Sequence, residues 1–312
     1  MPLQDVFTST FHQKLDFNDF LNLDVKSEYE PLKNTQKLIL KPSPKLKKYL
    51  RFLNSFIFEY AKINTNVVFS YRKDNSAYTA VRKHANSKYF FQTDLSSFFY
   101  SITAEDVKNV LENYMGNSPI NDLREYQEII INMVTVDGVL PVGFSTSPKI
   151  SNSCLYEFDN ELEQYCLDDG IIYTRYSDDI ILSSKDNDLK TVEKVISGML
   201  NKFFGARFQL NPNKTKHTHT GKKIKLLGMV ILPSGKVSVD IKLKKQIEIL
   251  FYFYINDKTK FTDYLVNKYQ GDLGKISGQL NYINTIDKSY LNKLRKKYGN
   301  FIVDSFIHQT VS

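Results

Sequence analysis

A chain of 312 residues with 42% hydrophobic side chains can bury the core of one large domain, or of two to three subdomains, without covalent staples. Its formal charge of +8 favours polyanionic partners, and its two cysteines, Cys154 and Cys166, exclude a disulfide framework and match no zinc spacing, so they read as reduced, buried small hydrophobes. No run approaches the roughly 20 apolar residues that span a bilayer, and the start Met1-Pro2-Leu3-Gln4-Asp5 lacks the basic-then-apolar pattern of a signal peptide, so a soluble cytoplasmic protein that does not engage membranes is expected.

Residues 46–61 carry Leu46, Leu50, Leu53, Ile57 and Tyr60 near helical spacing, with Pro44 ahead of them, and predict an amphipathic helix. A short strand is expected over 67–71. Residues 89–95 form an apolar, aromatic strand that ends on Asp94, and 104–114 resume helical character with acids in the first turn. The spacing of Ile150, Cys154, Leu155, Phe158, Leu162 and Tyr165 predicts one helix over 148–168 with a single buried face. Asp168-Asp169-Gly170 reads as a turn, followed by strand, tight turn and strand over 171–184. A helix over 189–204 closes near Gly205. Two short strands turning at Pro233-Ser234-Gly235 are expected over 224–239, then a basic helix to about 254 and a second helical region from about 261.

The tight turn holds Tyr176-Ser177-Asp178-Asp179. The pair reads either as a solvated turn or as a cation site: adjacent carboxylates at a hairpin tip repel each other and resist burial unless a cation sits with them, and hard divalent ions with oxygen ligands suit that role. Asp94 ends another strand, and neighbouring strands of one sheet would bring the three carboxylates together. Basic residues concentrate at Arg72, Lys73, Arg82, Lys83 and His84, at Lys214, Lys216, Lys222, Lys223 and Lys225, and at Lys288, Lys293, Arg295, Lys296 and Lys297. Tyr71, Tyr78, Tyr290 and Tyr298 lie among or beside them, a mix that suits phosphates and bases, although a solvated lysine-rich face is an equal reading of the last two clusters. His217 and His219, at i and i+2 without a third ligand, read as exposed polar residues rather than a metal site. His84 is open between a nucleic-acid contact and a capped or surface histidine.

Five segments then resemble, in order, the motifs of reverse transcriptases. Asp94-Leu95-Ser96-Ser97-Phe98-Phe99-Tyr100-Ser101-Ile102 is similar to motif A, and 138–152, with Leu140-Pro141-Val142-Gly143, Ser147-Pro148 and Ser151-Asn152, to motif B. Tyr176-Ser177-Asp178-Asp179 is similar to the Tyr-x-Asp-Asp box of motif C, Leu210-Asn211-Pro212-Asn213-Lys214-Thr215 to motif D, and Lys225-Leu226-Leu227-Gly228 to motif E. The 278–283 and 294–299 segments look like thumb helices of bacterial retron-type enzymes. Two retron elements differ: Ala80-Val81-Arg82-Lys83-His84 keeps only the histidine of Asn-Ala-x-x-His, and Leu226-Leu227-Gly228 replaces Val-Thr-Gly.

The resemblance implies an α+β right-hand polymerase: N-terminal helices and fingers over 1–88, a palm over 89–240 with inserted fingers helices at about 104–137, and a helical thumb over 241–312. It implies two Mg²⁺ ions, with Mn²⁺ as a substitute, held by Asp94, Asp178, Asp179 and the Leu95 carbonyl. Arg72 and Lys73 would meet the triphosphate. Phe99 would gate against a ribose 2′-OH, and Lys214 would approach the departing pyrophosphate. Pro141, Val142 and Gly143 would shape the dNTP floor. Val142 stands where the family usually carries glutamine, which should alter substrate affinity or fidelity and leave the metal chemistry intact. The implied activity is RNA-directed DNA synthesis from dNTPs, on an RNA template or a dedicated non-coding RNA in antiphage defence, with an effector protein as a further partner. A template-independent or protein-primed polymerase of the abortive-infection type, an RNA-dependent RNA polymerase and an inactive nucleic-acid-binding palm are the competing readings. The oligomeric state is open.

Overall fold

Ile180-Ile181-Leu182 is an apolar run short enough for a strand and apolar on both faces, which suits the middle of a sheet covered on both sides. The structure, a computed structural model, describes residues 1–32 and 38–310 and puts this run there. Strands β1 (Tyr29–Pro31) and β2 (Leu40–Pro42) pair as an antiparallel ribbon; β3 (Tyr89–Asp94), β4 (Ile172–Tyr176), β5 (Asp179–Ser184) and β6 (Lys216–His219) form a sheet in the order β4-β5-β3-β6. Strand β5 is antiparallel to both its neighbours, with Phe91 opposite Leu182 and Tyr173 opposite Leu182.

The chain divides into two units. In the first (Met1–Ala80 with Tyr89–His217), helices Tyr156–Asp168 and Val192–Phe204 supply Phe158, Leu162, Cys166, Ile196 and Leu200 to one buried cluster with Phe91, Tyr173, Ile180 and Leu182. Full burial of each such side chain contributes roughly 1.5–3 kcal/mol. Helix Pro44–Phe56 starts with Ser43 as its cap and Pro44 in its first turn, and Tyr49 and Phe52 meet Phe7 and Phe20 in an aromatic cluster. Helix Ala104–Asn113 opens with a Thr103/Asp106 capping box, worth about 1 kcal/mol.

The second unit joins Val81–Lys88 to the chain from Thr218 onward. Its sheet is β7 (Ile224–Leu226), β8 (Met229–Ile231) and β9 (Val237–Val239), all antiparallel. Helices Ile241–Asn256, Lys258–Tyr269, Leu273–Ile286 and Lys288–Tyr298 are each capped by an aspartate (Asp240, Asp257, Asp272, Asp287), and Asn300–His308 follows. Asp287 is almost fully buried, and Lys236, Lys244, Ser238 and Ser289 donate to it.

Four expectations change. The segment 67–71 is no strand; a single bridge ties Val68 to Arg175. The helix over 148–168 is two, Ser147–Cys154 and Tyr156–Asp168, broken at Leu155. They take different partners: the first packs on helix Ala104–Asn113, the second on β4 and helix Val192–Phe204. Residues 224–239 hold three strands rather than two, because Leu227 and Gly228 both adopt positive φ and add a turn. His84 is neither on the surface nor open to nucleic acid; it is fully buried, and burial pushes its imidazole down to about 3, so it stays neutral.

Candidate active site

The last residue of β3 and the first of β5 are both aspartates, and the antiparallel register sets Asp94 directly opposite Asp179. Asp178, in the connecting turn, accepts the Leu95 N–H through its carbonyl at 3.0 Å. Three carboxylate residues thus share one end of the sheet. Asp94 is 3% exposed; its Oδ2 accepts from the Lys214 ammonium, whereas Oδ1 is buried with no hydrogen-bond partner. Burial, reinforced by the charges of Asp178 and Asp94, pushes the Asp179 carboxyl up to about 6 against the opposing pull of Lys214.

Lys214 reaches Asp94 because of the turn that carries it. Asn211 N–H donates to the Asp94 carbonyl at 2.8 Å, and the Asn211 carbonyl takes the N–H groups of Lys214 and Thr215 at 3.0 Å. Pro212 and Asn213 suit this turn, and the Thr93 and Thr215 hydroxyls meet at 2.7 Å beside it. The bond to Asp94 holds the ammonium in its charged form, above its ordinary pKa. In this arrangement Lys214 is the cation at the carboxylates.

The turn 176–179 bends at Ser177, whose φ of 60° is left-handed. Its N–H donates to Ser70 Oγ at 2.8 Å, its hydroxyl meets Tyr71 OH at 3.0 Å, and its carbonyl accepts Arg175 Nη1 at 3.0 Å. Beneath it the Arg175 guanidinium and the Asp159 carboxylate form an ion pair with no exposure to solvent. The sequence reading missed this pair and its neighbour Ser70, and it gave Asn152 only as a motif landmark without this role. The available signal was an arginine inside the apolar run Ile171-Ile172-Tyr173-Thr174-Arg175, since a charge on a covered strand requires a partner.

The proposed floor is built by close approach. The Leu40 N–H donates to the Val142 carbonyl at 2.8 Å, so β2 lies against it. Gly143 has φ 114°, and a Cβ there would come within 2.0 Å of the Leu40 carbonyl oxygen, so only glycine fits. Ser147 Oγ donates to the buried Pro141 carbonyl at 2.7 Å. Phe99 lies on the 3₁₀ turn Phe98–Ser101, half-buried against the core with its ring 5.3 Å from Phe98. Arg72 and Lys73 line an open cavity of about 180 Å³ with Tyr71, Glu59, Lys149 and Asn152. One Arg72 nitrogen, Nη1, is committed to the Thr65 and Val68 carbonyls. Lys149 pairs with Glu59, and burial lowers its pKa.

The basic clusters are partly engaged inside the protein. Lys223 and Lys225 share Asp240, Arg295 pairs with Asp304, and Lys297 with Glu248. The His217 ring lies tilted against Phe91, 4.8 Å between centroids, and 3.7 Å from Glu193. Cys154 and Cys166 are free and buried, as their composition predicted.

Residues 30–231 match the family model described as "Reverse transcriptase (RNA-dependent DNA polymerase)". The chain belongs to the reverse transcriptase family. It is of the retron type and an RNA-directed DNA polymerase, with the α+β plan of a right-hand polymerase. The retron Ec83 reverse transcriptase of Escherichia coli is 25% identical over 274 residues, covering 86% of this chain and 85% of its own length. The retron Ec73 reverse transcriptase of Escherichia coli is 28% identical over 280 residues, 85% and 84% respectively. Among solved structures, telomerase from Candida albicans in complex with a TWJ fragment of telomeric RNA aligns over 93% of this chain and 64% of its own, at 11% identity and a TM-score of 0.44.

The reverse transcriptase carboxylates suit hard divalent ions in their donor chemistry: oxygen ligands only, one of them a buried orphan, and a second whose charge is held back by burial and by its acidic neighbours. Among the described residues no group of three or more His, Cys, Asp or Glu side chains is gathered closely enough to hold a metal ion. No helix of the described residues is long and apolar enough to cross a membrane.

Proposed function

We infer that this reverse transcriptase extends a priming hydroxyl with dNTPs by two-metal nucleotidyl transfer, with Asp94, Asp178, Asp179 and the Leu95 carbonyl as ligands of Mg²⁺, for which Mn²⁺ would substitute. The observation that carries this reading is Asp94 Oδ1, a buried carboxylate oxygen without a partner, on a residue facing Asp179 across the sheet. Bound there, divalent ions would activate the attacking oxygen and steady the leaving one. The protein's own residues position and neutralise. Lys214, which bonds Asp94, would on release stabilise departing pyrophosphate. Arg72 and Lys73, on one cavity with Lys149, offer positive charge to a triphosphate. Phe99 would exclude a 2′-OH, and Pro141, Val142 and Gly143 would support the nucleotide.

The region before β3 is assigned to the fingers, the sheet with Asp94, Asp178 and Asp179 to the palm, and the C-terminal helices to the thumb. A dedicated non-coding RNA as template, a role in antiphage defence and an associated effector protein extend the reading from the retron relatives. Primer extension on RNA with labelled dNTPs should give Mg²⁺-dependent DNA from the wild type and none from Asp178→Asn/Asp179→Asn; no such product from the wild type on any template would sink it. Copurifying nucleic acid should contain RNA joined to DNA, whereas DNA matching no template would point to untemplated synthesis. Val142→Gln should lower the dNTP KM.

A further inference from the structure

Arg175 presents five N–H donors, and each has an acceptor. Nε donates to Asp159 Oδ1 at 2.8 Å and Nη2 to Asp159 Oδ2 at 2.6 Å and the Asn152 carbonyl at 3.3 Å. Nη1 donates to Asn152 Oδ1 at 3.2 Å and to the Ser177 carbonyl at 3.0 Å. Tyr173 OH adds a bond to Asp159 Oδ1 at 2.7 Å. A buried ion pair is a poor source of stability, because desolvation offsets the attraction and apolar residues of the same volume often serve as well. An apolar pair would lack the donors to Asn152 and the acceptor for Tyr173 OH and, at the turn itself, a directed donor to the Ser177 carbonyl.

That carbonyl belongs to the residue in left-handed geometry, which a serine adopts only when its surroundings over-determine it. Here N–H, C=O and hydroxyl are all held. The same bonds continue outward. Asn152 Nδ2 donates to the Ser70 carbonyl at 2.9 Å, and the Ser70 hydroxyl lies 3.2 Å from Asn152 Oδ1. The Arg175 N–H donates to the Val67 carbonyl at 2.7 Å, and Phe69 N–H returns to the Arg175 carbonyl at 2.9 Å. The segment leading to Tyr71 and Arg72, the helix Ser147–Cys154 and the 176–179 turn are thereby tied together.

We propose that Arg175, oriented by Asp159, is a positioning residue of the reaction: it fixes the Ser177 carbonyl and with it the turn that presents Asp178 and Asp179, while Asn152 and Ser70 keep the Tyr71–Arg72 segment in step. The inference rests on the reading of these aspartates as metal ligands. If the pair merely fastened the helix Tyr156–Asp168 to the sheet, any well-packed replacement would do.

The full chain, with Arg175→Met/Asp159→Leu and Arg175→Lys as variants, separates the two. Thermal melting, Mn²⁺ binding by electron paramagnetic resonance, and kcat and KM for dNTP in primer extension are read for each. The apolar pair is expected to melt within a few degrees of wild type, yet to lose about 10–100-fold in Mn²⁺ affinity and kcat with KM nearly unchanged. Arg175→Lys keeps the charge beside Asp159 but cannot span both Asp159 and Ser177, and should lose in the same direction. Wild-type Mn²⁺ binding and kcat in the apolar pair would overturn the proposal, and where that pair does not fold, the same result in folded Arg175→Lys would do so. A wild type that binds no Mn²⁺ would instead remove the metal reading, and an unchanged kcat in folded Arg175→Lys would still overturn the positioning role.

Discussion

Asp159 and Asp94 are both buried, at 0% and 3% exposure, in the same unit of the protein, yet their surroundings differ in kind. Asp159 has both oxygens engaged by Arg175, with Tyr173 adding a third bond. Asp94 has one oxygen on Lys214 and the other on nothing, opposite a second aspartate whose charge burial already disfavours. A chain that can complete the hydrogen bonding of one aspartate and leaves the other incomplete is not short of donors. The unfinished site is the one proposed to take a cation, and the finished one holds the turn beside it.

The isosteric change to asparagine should break this comparison most cleanly. Asp94→Asn is expected to cost about 10³-fold or more in primer extension while leaving the melting temperature close to wild type, since it removes a charge the protein never fully satisfies. A variant that keeps its activity would refute the ligand role. Asp159→Asn differs in costing stability as well: it leaves Arg175 buried without a counter-charge and should cost about 3–5 kcal/mol in denaturant unfolding. Away from both sites, Gly143→Ala should cost roughly 3 kcal/mol, because its φ and the Leu40 carbonyl both exclude a Cβ; an unchanged unfolding midpoint would contradict the close approach.

The smallest effect is on pH. Asp179 has its carboxyl raised to about 6, so its protonated form is favoured by folding. Its contribution to the stability of the chelator-treated protein is therefore full below about pH 4 and lost as pH rises through about 6. The difference between wild type and Asp179→Asn over that range should show this slope, and a flat difference would remove the repulsion from the account. Divalent ions should bind more weakly below about pH 6, where a proton competes for the same oxygens.

Much of the active end was legible because its residues carry their signals locally. Asp94 and Asp179 sit at the ends of apolar runs whose alternation and length define strands, and two adjacent acids, by themselves an ordinary solvated turn, become a site through the motifs around them. The Asp159–Arg175 pair was not legible. Asp159 looks like any acid in a helix's first turn, and nothing within its own segment shows that the helix is covered on that side. The unbroken apolar spacing across Leu155 concealed two helices because each half has its own packing partner. Val67-Val68-Phe69 has strand composition but finds only one bridge, and His84 lies in a basic run that reads as surface although its side chain is fully buried.

The approach of β2 to the proposed nucleotide floor has a consequence for how this polymerase can vary. Leu40 bonds the carbonyl of residue 142, a backbone group that any residue supplies, while it denies residue 143 even a methyl group. Mutational freedom at the floor is therefore split between neighbours: position 143 is closed, and position 142 is open. Were residue 142 to meet the nucleotide as proposed, substrate preference could drift through it without disturbing the backbone that supports it, and the valine there is a change this architecture tolerates.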